Sequence, residues 1–81
     1  MADHGEIIAF LRRELRAIKP KLPRDWPTEA KYRADLHLDS LDLVELVARV
    51  EQRFGMLIVD EELSALTSLD ATASFIRAKA Q

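Results

Sequence analysis

The apolar positions after Ser40 recur at a helical period. Leu43, Leu46, Val47, Val50 and Phe54 are spaced by threes and fours, which predicts a helix over about residues 40 to 54 with one buried face. Gly55 follows and suits the left-handed position that stops a helix. Asp39 is placed to cap its start, and Asp42, three residues on, completes a capping box with Asp where Glu or Gln is usual. The amino-terminal stretch has the same grammar. Asp3 and Glu6 open a helix whose stripe is Ile7, Leu11, Leu15 and Ile18, with Ile8 and Phe10 near its edges. Arg12, Arg13, Glu14 and Arg16 form its solvent side, and Pro20 ends it.

Asp60, Glu61 and Glu62 can open a short third helix through Leu63 to about Ala65. Thr67 and Ser68, with Asp70 following, can cap a last helix from about Leu69 to Ala78. Its inner side uses Leu69, Ala73 and Ile76, with Phe75 at the edge. The apolar run Met56 to Val59 has no evident partner strand and reads as buried loop. Residues 19 to 37 hold Pro20, Pro23 and Pro27, which forbid a long regular element. So long a loop needs anchors. Leu22, Trp26, Tyr32 and Leu36 can supply them, with a short helical turn around Thr28 to Arg33. Trp26 could instead be a binding aromatic, though an anchor is the ordinary use.

The fold class is therefore all-α: a four-helix bundle with a long first loop and a short third helix, one domain over residues 1–81. Composition narrows this further. With 81 residues and no cysteine, the core rests on helix packing without disulfides or a thiolate metal site. The net charge of −2 argues against a nucleic-acid partner. No secretory signal or membrane-spanning run is visible, so a soluble, cytoplasmic, monomeric domain without a membrane partner is expected.

Ser40 is the candidate for chemistry. A serine near a helix start is ordinarily a cap, but Asp39 already fills that position. Ser40 is left at the positive end of the helix dipole, where a phosphate would be favoured. A serine hydrolase is a second reading, because His37 lies three residues before it. A helix start on the surface of so small a bundle offers little of the dry cleft such a site needs. Asp39, Asp42, Glu45 and Glu51 suggest a divalent cation, yet they spread along several turns of one exposed side and do not converge. A solvated face meeting basic partners fits them better, and no metal is expected. Leu41, Val44 and Ala48 form a second apolar stripe beside the core stripe. It is either a contact patch or a second buried side.

The run Asp35-Leu36-His37-Leu38-Asp39-Ser40-Leu41-Asp42-Leu43-Val44-Glu45-Leu46-Val47 resembles the phosphopantetheine attachment region of the acyl carrier proteins. The match continues through Glu51 to Phe54, Ile58, Asp60-Glu61-Glu62 and Thr67-Ser68-Leu69, ungapped from about Tyr32 to Ile76. The resemblance implies a covalent 4′-phosphopantetheine on Ser40, with Asp39 and Leu41 beside it, derived from coenzyme A by a phosphopantetheinyl transferase (a holo-carrier synthase). It implies a carrier with no turnover of its own, holding acyl groups as thioesters for acyl-loading and acyl-processing enzymes. Docking would use Leu41, Asp42, Val44, Glu45 and Ala48. An acyl pocket entered between the second and third helices would be lined by Tyr32, Val50, Ile58, Leu63, Leu66 and Phe75, with Ala73 leaving room and Arg33, beside Tyr32, either restricting the entrance or meeting a polar cargo.

Three departures stand out. His37 occupies a position where the family usually has glycine, so the loop into Ser40 is expected to run differently. Arg49 and Arg53 interrupt the acidic side of the second helix, and the chain is less acidic than typical members, which suggests a specialised carrier with its own partners; fatty-acid-like or polyketide-like chains are the expected cargo. Aminoacyl, peptidyl and D-alanyl carriers share the arm and are the near alternative, although Val44-Glu45-Leu46-Val47 is more like the acyl branch. An unmodified helical adaptor is the remote one.

Overall fold

A computed structural model describes residues 2–80. Three α-helices, α1 (His4–Ile18), α2 (Ser40–Phe54) and α3 (Leu69–Ala80), pack with a 3-10 helix (Asp60–Ala65) between α2 and α3, and no strand occurs among the described residues.

Each helix start is closed by the side chains expected of it. Asp3 accepts from the Glu6 N–H while Glu6 accepts from the Asp3 N–H. Asp39 and Asp42 do the same at α2. Ser68 Oγ accepts from the Ala71 N–H at α3. Gly55 ends α2 at φ 63°, the left-handed conformation a glycine adopts without a Cβ clash. The last helix runs to Ala80, two residues past its expected end. The third helix is 3-10 rather than α, a form suited to short pieces; its first turn is held by Glu62 accepting from the Val59 N–H.

The core joins Ile7, Leu11 and Leu15 of α1, Leu46 and Val50 of α2, and Leu69, Ala73 and Ile76 of α3. Ile18 and Leu36 are only half-buried. The long loop is sealed by Leu22, Trp26, Tyr32 and Leu38 instead, Leu38 replacing the expected Leu36. Trp26 is an anchor, buried with the Arg12 guanidinium 5.1 Å from its ring centroid. The helical turn falls at Lys31–Leu36, later than Thr28–Arg33, because the Asp35 carboxylate reaches back to the Lys31 N–H. Thr28 is occupied elsewhere: its hydroxyl donates to Asp70 and its carbonyl accepts the Asp70 N–H.

Residues Met56 to Val59 are not a buried loop throughout. Ile58 is inside, whereas Leu57 and Val59 are exposed. Glu51 fixes this alternation, since its carboxylate accepts the Ile58 N–H at 2.8 Å and draws that residue inward.

Candidate functional site

Ser40 is the first residue of α2 and is exposed. The Asp39 carboxylate takes the Asp42 N–H and the Asp39 carbonyl takes the Leu43 N–H. Among the described residues no acceptor is bonded to the N–H groups of Ser40 and Leu41, so two donors and the positive end of the dipole face the Ser40 side. The Asp39 N–H donating to it, and then the nearby Lys19 ammonium, hold the Asp42 carboxyl below its ordinary value and keep the cap ionised. Lys19 Nζ also donates to the His37 carbonyl, tying the end of α1 to the loop before Ser40.

That loop departs from expectation in an instructive way. His37 stands at φ 59°, the left-handed conformation that glycine adopts freely. The loop thus keeps a glycine-like path instead of running differently. The Lys19 bond, and the His37 N–H donating to the Arg33 carbonyl, hold it there.

The hydroxyl is bonded by a cation. Arg33 Nη2 donates to Ser40 Oγ at 2.6 Å. No hydrogen bond joins His37 to Ser40 among the described residues, which leaves the hydrolase reading without its base. The carboxylates of α2 each have separate work: Asp39 and Asp42 cap the helix, Glu45 pairs with Arg49, and Glu51 holds Ile58. Glu51 is half-buried, not on the exposed side expected of it. Arg49 also reaches Glu14 of α1, and Arg53 covers Phe10 and Phe54.

Beside Ser40 opens a mainly apolar cleft of about 710 Å³ between α2, the long loop and the 3-10 helix. Tyr32, Val50, Ile58, Leu63 and Leu66 line it. Phe75 does not. It lies under Lys79, on the stripe of α3 that meets Glu62, and Thr72 is the α3 residue that reaches the cleft. Ala73 is sealed in the core. Leu43 and Val47, read from sequence only as core, form a cleft wall; they continue the ridge of Val50, which was the available signal. Leu41 and Val44 are 79% and 62% exposed and Ala48 is exposed too, so the second stripe is not a second buried side.

Residues 21–76 match the family model described as a phosphopantetheine attachment site. The chain belongs to the acyl carrier protein family. Members carry a covalent 4′-phosphopantetheine, and the exposed hydroxyl, the free N–H groups and the guanidinium fit a phosphate-bearing group. The chain is 46% identical over 48 residues to an acyl carrier protein of Rubrobacter xylanophilus, an alignment spanning 59% of each protein. It is 30% identical over 76 residues to the meromycolate extension acyl carrier protein of Mycolicibacterium aurum, covering 94% of this chain and 78% of that one. No helix among the described residues is long and apolar enough to cross a membrane.

Proposed function

We propose that Ser40 of this acyl carrier protein bears the 4′-phosphopantetheine arm and that the domain presents thioester-bound acyl chains to partner enzymes without turnover of its own. The observation that carries the reading is the exposed Ser40 hydroxyl on the rim of a largely apolar cleft. The arm supplies a thiol that holds the acyl group. This chain's residues position it: Asp39 and Asp42 hold the helix start rigid, and the cleft shelters an apolar cargo. Each methylene taken from water contributes about 0.8 kcal/mol, so a medium chain gains enough to favour entry.

A fatty-acid-like or polyketide-like cargo is favoured over an aminoacyl one by that lining and by the likeness to a meromycolate extension carrier. Leu41, Val44 and Ala48, with Asp42 and Glu45 beside them, serve as the docking face for the transferase and the acyl-processing enzymes. Incubation with coenzyme A, magnesium and a phosphopantetheinyl transferase adds one arm mass to the parent and none to Ser40→Ala. Equal labelling of the two proteins would place the arm elsewhere. Unchanged parent mass with several transferases, and in protein from its own host, would favour the unmodified adaptor.

A further inference from the structure

Arg33 stands next to the buried Tyr32 on the wall of an otherwise mainly apolar cleft. Its guanidinium reaches past the six intervening residues to donate to Ser40 Oγ at 2.6 Å, and both residues line the same cleft. The backbone between them is braced: the His37 N–H bonds the Arg33 carbonyl, the Leu38 N–H bonds the Tyr32 carbonyl, and Tyr32 and Leu38 are buried. The root of the Arg33 side chain is therefore held by the core while its head reaches the serine. A bond from guanidinium to a neutral hydroxyl uses little of what the group offers. Guanidinium has five donors in a planar fork that matches phosphate bidentately, whereas the hydroxyl oxygen engages one of them and carries no opposite charge. No salt bridge engages Arg33 among the described residues, so its charge is free to meet an anion.

We propose that Arg33 is a clamp for the phosphate of the group carried on Ser40, fixing the root of the arm on the rim of the cleft. This rests on Ser40 being the attachment point. In the unmodified protein the guanidinium holds the hydroxyl. Once the oxygen is esterified, the same donors turn to the phosphodiester oxygens, which carry the negative charge. The free N–H groups of Ser40 and Leu41 add to the pull from the helix side. Pinning the root restricts the arm to the neighbourhood of the cleft and lowers the entropy lost when an acyl chain enters.

The test uses holo-protein of the parent, Arg33→Ala and Arg33→Lys, with the added mass confirmed for each and phosphorus NMR as the readout. In the parent the phosphodiester signal relaxes with the tumbling domain and shifts between low and high ionic strength as salt competes for the clamp. Arg33→Ala narrows the line by about twofold, the change expected when an ordered group becomes a flexible one. It also abolishes the salt-dependent shift, while Arg33→Lys, with charge but no fork, falls between. Arg33 is exposed, so the amide spectrum of Arg33→Ala stays native outside the loop. Identical line width and salt response in parent and Arg33→Ala overturn the clamp while leaving Ser40 as the attachment point. A phosphorus signal indifferent to Arg33 in the holo form, with an effect only once a carboxylated acyl group is loaded, overturns it in favour of a cargo contact. Absence of added mass on the parent overturns both readings.

Discussion

Tyr32 donates its phenolic hydrogen to Thr72 Oγ1 at 2.8 Å, bolting the long loop to α3 inside the core. The direction follows from Thr72, whose single hydrogen is given to the Ser68 carbonyl at 2.7 Å. Burial pushes the Tyr32 phenol well above its ordinary value, so it stays neutral. Tyr32→Phe removes a donor but leaves Thr72 bonded to Ser68, and should destabilise by about 1 kcal/mol. Thr72→Val strands the buried phenol and also loses the Ser68 bond, at a cost of about 2–3 kcal/mol. Urea midpoints of the two variants should fall in that order. The reverse order would overturn the Tyr32–Thr72–Ser68 relay as the tie between loop and helix.

Asp70 gathers three segments. Its carboxylate accepts from His4 at 3.1 Å and from the Thr28 hydroxyl at 2.7 Å, which joins α1, the loop and the start of α3. The His4 bond first, and then Thr28, hold its carboxyl below the ordinary value. A depressed carboxylate contributes stability above its unfolded value of about 4, and the contribution is lost as pH falls through the folded value. Asp70→Asn should lower stability at neutral pH and flatten the loss on acidification below about pH 4. Denaturant titrations across that range check both limbs.

Two positions share the left-handed conformation, His37 at φ 59° and Gly55 at φ 63°. His37→Gly relieves backbone strain but loosens the unfolded chain, for a net gain below about 1 kcal/mol. His37→Val, being β-branched, should lose stability. Gly55→Ala should cost about 1 kcal/mol through the backbone alone, because an added Cβ meets nothing within 4 Å. Thermal melts of the three variants test the ranking.

Glu45→Lys should slow modification by the transferase, most at low ionic strength, since exposed rim charges act on association rate. Asp42→Lys should slow it too, but with a loss of stability, because Asp42 is part of the α2 cap and bonds Lys19. Rates measured against salt, beside melts, separate the two. Rates equal to the parent for Glu45→Lys would move the docking face elsewhere.

Loading octanoate onto the holo-protein should shift the amide signals of Val47, Ile58 and Leu66 in the cleft, and leave Phe75 unmoved. Shifts confined to Ser40 and its neighbours would favour a short or polar cargo and the aminoacyl alternative.

The sequence by itself determined the three α-helices, their starts and the stop of α2 at Gly55. Asp3 with Glu6, Asp39 with Asp42, and Ser68 act on backbone groups three residues away, and Gly55 acts on its own φ. Such local geometry is written in residue spacing, and so was the exposure of Ser40 beside an already filled cap. Tertiary structure decided the rest. Glu51, seven residues upstream, turned Ile58 inward between exposed Leu57 and Val59. Packing chose Leu38 over Leu36 as the loop's seal and put Thr72, not Phe75, on the cleft. The reach of Arg33 to Ser40 depends on a chain reversal through His37 that Lys19 holds from the end of α1. Contacts of this kind follow from where packed elements bring the chain back on itself, and hydrophobic period carries no record of that.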